Sequence, residues 1–212
     1  MRLIIFGPQG AGKGTQSSRI SEKYDIPSIA TGDIFRWAIH GGTALGLKAR
    51  EYVSAGKLVP DDLTIEVVLE RLGARDAEHG FLLDGFPRNI KQAEALDRWL
   101  EARGARLDAA IAIEVPEEVS LRRLTGRRVC AKCGANYHLD SPPSDDWICD
   151  RCGGTVEARD DDEDEATIRE RLSLYHDQTE PLKEHYKKAG PLREIDGMGS
   201  VDEVFDRIVA AI

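Results

Sequence analysis

The sequence predicts an α/β fold in which helices flank a parallel β-sheet. The chain begins with an apolar run of strand character at residues 1–6, which leads through a glycine-rich turn into a helical stretch. Further runs of strand character alternate with helical stretches, and they lie at 28–30, 81–84, 109–115 and 192–196. Because strands that alternate with helices usually pair in parallel, we expect one parallel sheet of five strands.

The glycine-rich turn has the sequence GPQGAGKGT at residues 7–15, which predicts a phosphate-binding loop and is called the cradle below. Its glycines allow the backbone to turn N–H groups toward an anion, and the following helix adds the positive end of its dipole. Lys13 can reach terminal phosphates, and the Thr15 hydroxyl can meet Mg²⁺. The strict motif has Ser or Thr directly after the lysine, whereas Gly14 intervenes here.

Composition limits the partners and the compartment. Of the 212 residues, 41% are hydrophobic and 32% are charged, which is typical of a soluble globular protein. The net charge of -9 disfavours nucleic acid as a partner. No apolar run approaches the length that spans a membrane, and the N-terminus is typical of a strand and loop rather than of a signal peptide. We therefore expect a cytoplasmic protein without membrane or nucleic-acid partners.

Residues 31–60 predict a small helical lobe between two strands. A hydroxyl or carboxylate within 31–33 is expected to cap the first helix of this lobe, and a second helix is expected at 43–55. Asp61 or Asp62 is expected to cap the next helix. Such an insertion is longer than a plain crossover connection requires, which indicates a separate role.

Two groups of charged residues predict contacts with phosphate and metal. Asp84 ends an apolar run, and an aspartate at the C-terminal end of a strand in a nucleotide-binding sheet commonly lies near the metal; the alternative is a cap on the next turn. Four arginines lie close together at Arg122, Arg123, Arg127 and Arg128. Their planar guanidinium groups match phosphate oxygens, whereas a solvated helix face is the alternative.

All four cysteines lie in one short segment with the spacing C-x2-C-x15-C-x2-C, and they are Cys130, Cys133, Cys149 and Cys152. This spacing predicts a structural zinc site, because four thiolates close a tetrahedral shell without an open position. The metal would stabilise a segment that is too small to have much hydrophobic core. Four unligated thiols or a redox pair are the alternatives.

The chain after the cysteines combines a charged segment with two helices. The six consecutive acids at 160–165 predict a solvated, mobile segment that acts as a hinge. A long helix is expected from 166 toward 185, with a bend near Pro181. An amphipathic helix is expected at 201–212.

These features together resemble the adenylate kinase family, in its longer form with a zinc-bearing lid. The matching motifs cover nearly the whole chain: GPQGAGKGT at 7–15, TGDIFR at 31–36, GKLV at 56–59, LLDGFPRN at 82–89, GRRVC at 126–130 and RERL at 169–172. In this family the cradle has the form GxxxxGKGT, so the resemblance accounts for Gly14.

The resemblance implies a fold with three parts and a monomeric protein. The core would be a domain of the P-loop NTPase type, made of residues 1–30, 60–126 and 165–212. A small helical NMP-binding lobe would occupy 31–59, called the helical lobe below. A zinc-binding segment would occupy 127–164, called the lid below.

The resemblance also implies a set of site residues. ATP would contact Gly10, Ala11, Gly12, Lys13, Gly14, Thr15, Arg127, Asn136, Tyr137 and Gly199. AMP would contact Thr31, Arg36, Lys57, Leu58, Val59, Gly85, Phe86, Pro87, Arg88, Gln92, Arg159 and Arg171. The catalytic residues would be Lys13, Asp84, Arg88, Arg123, Arg127, Arg159 and Arg171. The spacing between Arg159 and Arg171 is about one residue longer than is usual in the family.

The implied reaction is ATP + AMP ⇌ 2 ADP, with Mg²⁺, by direct in-line transfer of a phosphoryl group. The implied partners are therefore ATP, AMP and ADP. Three alternatives stay open at this point: a kinase for another nucleoside monophosphate, a P-loop nucleotide-binding switch, and a zinc-ribbon nucleic-acid binder.

Overall fold

The computed structural model describes residues 1–40, 42–54, 59–159, 162 and 164–212. In this part of the chain, the central sheet consists of β1 (Arg2–Phe6), β2 (Ser28–Ala30), β3 (Phe81–Asp84), β4 (Ala109–Glu114) and, numbered along the chain, β8 (Leu192–Asp196). The strand order is β2-β3-β1-β4-β8, and every neighbouring pair is parallel. The predicted sheet and all of its strands are thus confirmed.

Helices cover both faces of this sheet. The described α-helices are α1 (Lys13–Tyr24), α2 (Thr31–His40), α3 (Ala44–Ser54), α4 (Asp61–Leu72), α5 (Ile90–Glu101), α6 (Glu117–Thr125), α7 (Glu165–Leu174), α8 (Leu182–Ala189) and α9 (Val201–Ala211), and a short 3₁₀ turn lies at Arg75–Ala77. Alternate strand residues point to opposite faces. Ile4 therefore packs in the layer formed with α4, α5 and α8, whereas Leu3 packs in the layer formed with α1 and α9.

The strands are apolar on both faces because both faces are covered. Leu3, Ile4 and Ile5 of β1 have no exposed surface, and neither have Leu82 and Leu83 of β3. Continuous apolar strands of this kind are typical of parallel sheets buried between helices. The carboxyl ends of β1 and β3 consequently open onto one edge, where the polar loops gather.

The helical lobe is built on α2 and α3, which pack tightly together. A Cβ atom on Gly46 would overlap the backbone of Ala38, so glycine is required for this close approach. A small apolar cluster of Phe35, Ala49 and Val59 forms the described core of the lobe.

The lid has no α-helix among its described residues. It contains an antiparallel sheet formed by β5 (Arg127–Cys130), β6 (Asn136–His138) and β7 (Val156–Ala158), in the order β6-β5-β7. Its described apolar cluster is small and contains Cys130, Ala135, Cys149 and Val156.

Two expected helix caps are wrong. Helix α2 begins at Thr31, whose hydroxyl donates instead to the Gly85 carbonyl oxygen at 2.9 Å. Helix α4 begins at Asp61 after Pro60, and among the described residues no side chain caps it. The Asp61 carboxylate instead accepts hydrogen bonds from the side chain of Gln92 in α5 and from the side chain of Asn89, which directly precedes α5.

The expected bend near Pro181 is confirmed, and its geometry is specific. A π-helical segment, Tyr175–Thr179, separates α7 from α8 just before Pro181. The Thr179 hydroxyl donates to the Arg88 carbonyl oxygen at 2.8 Å, which connects this irregular segment to the loop after β3. No described helix is both long enough and apolar enough to cross a membrane.

Candidate functional site

The cradle lies between the end of β1 and the start of α1, at the carboxyl edge of the sheet. Gly10 has φ 79°, and a Cβ atom there would lie 2.8 Å from the Ser120 carbonyl oxygen. Glycine is therefore required both by the backbone conformation and by the close approach. Among the described side chains, none caps the N-terminus of α1 at Gly12, so its first N–H groups are oriented to bind an anion.

Lys13 lies over the cradle that it is predicted to serve. Its Nζ donates to the carbonyl oxygens of Gly7 and Pro8, both at 2.8 Å. Burial lowers the pKa of Lys13 to about 8, although the nearby Asp84 carboxylate acts in the opposite direction. A phosphate in the cradle would add negative charge beside this half-buried ammonium group.

Asp84 is the last residue of β3 and lies beside β1 in the parallel register. Its Oδ2 accepts a hydrogen bond from the Ser17 hydroxyl at 3.4 Å. Burial raises the pKa of Asp84, while Lys13 and Arg88 lower it. The predicted position of Asp84 at the end of a strand is confirmed, and its role toward a metal remains a prediction.

The loop at 85–88 turns sharply and is held by its own arginine. The Phe86–Pro87 peptide bond is cis, and Arg88 Nε donates to the Gly85 carbonyl oxygen at 2.9 Å. Burial lowers the pKa of Arg88, and the neighbouring Arg171 lowers it further. Arg88 is thus a half-buried cation with a second cation, Arg171, close by.

The structure brings the predicted cationic residues together from distant parts of the chain. Arg88, Arg127 and Arg171 all lower the pKa of Lys13 electrostatically. After burial, Arg159 is the main neighbour that lowers the pKa of Arg127. Core and lid therefore both contribute positive charge to one site, which is the arrangement that a polyphosphate requires.

Asp162 is a buried partner of two predicted site arginines, and the sequence did not predict this pairing. It accepts hydrogen bonds from Arg127 Nε at 2.6 Å and from Arg171 Nη1 at 2.8 Å, and it is buried. The prediction of a solvated acidic segment is therefore wrong at this position, and residues 160, 161 and 163 lie outside the described residues. The arginines that flank the acidic run were the sequence feature that could have predicted this pairing.

The four clustered arginines divide into two pairs. Arg123 donates to the carbonyl oxygens of Gly10 and Gly197, both at 3.3 Å, and so connects the cradle to the turn after β8. Arg127 pairs with Asp162. In contrast, the Arg122 side chain is 80% exposed and pairs with Asp140, and Arg128 bonds to nearby backbone oxygens. The solvated-face alternative is thus correct for Arg122.

The remaining residue of the predicted ATP set outside the cradle and lid is Gly199, in the turn before α9. It has φ 105°, and a Cβ atom there would lie 2.6 Å from Glu203 Oε2. Glycine is therefore required by this turn, and a contact between Gly199 and ATP remains a prediction.

Three of the residues predicted to contact AMP lie in the described part of the helical lobe: Thr31, Arg36 and Val59. Thr31 contacts Gly85, and Arg36 pairs with Asp33 at 2.5 Å while lowering the pKa of Arg88. Val59 is buried in the helical lobe. Lys57 and Leu58 lie outside the described residues.

The lid strand β6 reaches the cradle. A Cβ atom on Gly14 would lie 4.0 Å from Asn136 Nδ2 and 3.9 Å from Asp84 Oδ2. The Tyr137 hydroxyl donates to Cys149 Sγ at 3.4 Å and accepts from the Asp150 N–H at 2.9 Å. Tyr137 therefore connects β6 to the cysteine cluster.

The four cysteines form a compact group that fits a tetrahedral metal. Their Sγ atoms all lie within 4.8 Å of one another, with Cys130 and Cys152 at 3.5 Å and Cys133 and Cys149 at 3.6 Å. A tetrahedron with Zn–S bonds of about 2.3 Å has edges of about 3.8 Å. The Tyr137 hydrogen bond lowers the pKa of Cys149 to about 6, which favours the thiolate that binds metal.

The fold and the site define a nucleotide-binding protein of the P-loop class, whose phosphate cradle lies close to a group of arginines from distant parts of the chain. Comparison with known proteins identifies the family, since the family model for adenylate kinase matches residues 5–191. The adenylate kinase of Clostridium tetani is 53% identical over 209 residues, covering 98% of this chain and 96% of that protein. The adenylate kinase of Syntrophobacter fumaroxidans is 52% identical over 213 aligned positions, covering 100% of both chains. That of Archaeoglobus fulgidus is 51% identical, with 100% and 98% coverage.

The chain belongs to the adenylate kinase family, and it is accordingly a phosphotransferase that acts on nucleotides. The family assignment inferred from the motifs is thus confirmed, as is the α/β fold with its five-stranded parallel sheet.

Proposed function

We propose that this chain catalyses ATP + AMP ⇌ 2 ADP by direct in-line transfer between two bound nucleotides. The observation that supports this most strongly is the group of cations formed by Lys13, Arg88, Arg127 and Arg171, which influence one another electrostatically. Lys13 belongs to the cradle and Arg88 to the 85–88 loop, so the group connects the two places between which a phosphoryl group would pass from donor to acceptor.

The donor side is proposed to bind the phosphates of ATP in the cradle. The N–H groups of residues 10–15 and the Lys13 ammonium would hold the β- and γ-phosphates. Arg123 would approach from α6, and Asn136 and Tyr137 would cover the base from the lid. Gly199 would lie beside the base.

The acceptor side is proposed to bind AMP between the helical lobe and the 85–88 loop. Arg36, Arg88 and Arg171 would bind its phosphate, with Thr31 beside it. Gln92 would recognise the adenine edge, and residues 57–59 would close around the nucleoside. Arg159 would approach the transferring group from the lid.

Catalysis would depend on position and charge rather than on a strong base. The arginines and Lys13 would neutralise the charge that spreads over the equatorial oxygens, and their burial strengthens this effect. Closure of the helical lobe and the lid over the core would exclude water, which would otherwise hydrolyse ATP.

Two metals fit the residues present. Asp84, with the Thr15 hydroxyl, would hold Mg²⁺ on the ATP phosphates, where the ion neutralises negative charge. The four cysteines would hold a structural Zn²⁺, which would stabilise the lid. We further propose a monomer that acts in the cytoplasm without nucleic-acid or membrane partners, in keeping with the net charge of -9; light scattering of the purified protein would test the monomer.

An acceptor assay tests the proposed function. Purified protein with Mg²⁺ and ATP is given AMP, GMP, CMP or UMP, and nucleoside diphosphates are measured. We expect rapid ADP formation with AMP and far slower transfer to the other three. Equal rates with all four would contradict the assigned acceptor, and binding of ATP without transfer would indicate a nucleotide switch instead.

A further inference from the structure

The carboxamide of Gln92 is held from both of its ends. Its Oε1 accepts a hydrogen bond from the Arg88 N–H at 2.8 Å, and its Nε2 donates to Asp61 Oδ1 at 2.7 Å. Gln92 is only 2% exposed, so water does not provide alternative partners for these contacts. Exchanging the two ends of the amide would place a donor against the Arg88 donor and an acceptor against the Asp61 carboxylate.

Asp61 is itself fixed by its surroundings. It is the first residue of α4, and its Oδ1 also accepts from Asn89 Nδ2 at 2.8 Å. Asn89 in turn caps α5 by accepting the Gln92 N–H at 3.0 Å, which determines the orientation of its own amide. An ionised carboxylate only accepts hydrogen bonds, so Asp61 allows a single orientation of Gln92.

A fixed amide offers a fixed order of hydrogen-bonding groups to a base. After the two internal bonds, one Nε2 hydrogen and one Oε1 lone pair remain. The Watson–Crick edge of adenine offers an acceptor at N1 and a donor at N6, and a fixed amide can match both. Hypoxanthine and guanine offer the reverse order, a donor at N1 and an acceptor at O6.

We propose that Asp61 is a positioning residue that determines base specificity, because it fixes Gln92 in the orientation that accepts 6-amino purines and rejects 6-oxo purines. This inference rests on the proposed role of Gln92 at the acceptor base. Asp61 acts through Gln92 and does not itself touch the nucleotide.

The test is Asp61→Asn, assayed with AMP and with IMP as acceptors at saturating ATP. IMP is the most direct probe, because its base differs from adenine mainly in the reversed order of donor and acceptor on the Watson–Crick edge. Asparagine has nearly the same size but can donate to a reversed Gln92 amide, so that only the Arg88 N–H still favours the original orientation. We expect the ratio of kcat/KM for AMP to that for IMP to fall about tenfold, in KM rather than in kcat.

The matched control is Asp62→Asn. Asp62 is adjacent in sequence, but its side chain is 89% exposed and pairs with Lys91 on the surface. We expect an unchanged AMP to IMP ratio in this control. Asp61→Glu, which keeps an acceptor-only group, should retain most of the preference for AMP.

A double-variant comparison separates this role from a merely structural one. In a Gln92→Ala background, adding Asp61→Asn should change the AMP to IMP ratio no further. A ratio that stays at the wild-type value in Asp61→Asn, with both acceptors slowed equally, would overturn the proposal. Should Asp61→Asn fail to fold, Asp61→Ser carries the same expectation.

Failure of the proposed function would look different from failure of this inference. Wild-type protein that forms no ADP from ATP and AMP would refute the function. A Gln92→Ala variant with unchanged AMP to IMP ratio would refute the role of Gln92 at the base and, with it, the inference about Asp61.

Discussion

The core buries large apolar layers on both faces of its sheet, whereas the described apolar cluster of the lid has four buried members, of which Cys130 and Cys149 are cysteines. The core thus has enough hydrophobic burial to fold by itself, and the lid does not. Yet both contribute to one site, since Lys13 and Arg88 come from the core and Arg127 comes from the lid. The difference indicates that the stability of the lid can be lost without that of the core.

Metal removal is the strongest way to test this contrast. Binding of zinc by small cysteine sites contributes on the order of 10 kcal/mol of folding free energy, so chelation should lower the stability of the lid far more than that of the core. We expect a separate low-temperature transition in calorimetry while the main transition moves by a few degrees. A loss of both transitions together would contradict the independence of the core.

Trp147 offers a local probe of the same event. It packs against the cysteine cluster, so its fluorescence should change on metal removal. Trp99 of α5, which packs against the apolar layer of the core, provides the matched control. Single-tryptophan variants would separate the two signals.

Loss of a core cation should have the next largest effect. Lys13→Ala and Arg88→Ala should each lower kcat by about two to three orders of magnitude, because one preorganised charge is removed from the transition state. Steady-state kinetics with AMP checks this, and unfolding curves should stay close to wild type. Arg122→Ala is the control, because Arg122 is exposed and faces away from the site. A similar loss of kcat in that variant would show that the effect does not depend on where in the structure the cation lies.

Asp162→Asn should weaken the connection between core and lid. The substitution removes the charge that pairs Arg127 of the lid with Arg171 of the core. We expect kcat/KM to fall about 30-fold, which corresponds to about 2 kcal/mol for a charged hydrogen bond. Asp164→Ala, which removes only the cap of α7, should lower stability by about 1 kcal/mol with little change in kcat/KM.

A smaller effect is expected from pH. Burial lowers the pKa of Lys13 to about 8, and a bound phosphate favours its charged form. ATP binding should therefore take up a proton above pH 8, so the dissociation constant for ATP rises by up to about tenfold for each pH unit above this value. Calorimetry in buffers of different ionisation enthalpy measures the proton uptake. Lys13→Arg should show no such dependence near pH 8, because arginine stays charged.

Local pattern was enough to predict the sheet and the cradle. Alternating apolar runs and helical stretches predicted every strand of the central sheet, and the cysteine spacing predicted the compact thiol group. These features depend on residues that are close in sequence. The same holds for Asp84, whose place at the end of β3 follows from the apolar run before it.

Features created by tertiary packing were not predictable. Asp162 pairs with Arg127, which is 35 positions away, so its burial is not visible in a run of six acids. Arg122 and Arg123 are neighbours, yet only Arg123 faces the cradle, because the packing of α6 selects one side of the helix. Asp61 or Asp62 was expected to cap α4, and only the position of α5 shows that Asp61 contacts Gln92 and Asn89 instead.

The burial of Asp162 between two arginines has a consequence for how the site selects among anions. Its carboxylate already serves as a counter-ion before a nucleotide enters. An incoming phosphate must therefore displace this carboxylate from the two arginines. The free energy gained on binding is then the difference between the arginine–phosphate and the arginine–carboxylate interactions, rather than the full attraction of an unpaired arginine. Simple monovalent anions should bind poorly on this account. A phosphoryl chain, with more oxygens than a carboxylate and a geometry that matches several guanidinium groups at once, is the ligand that such an exchange favours.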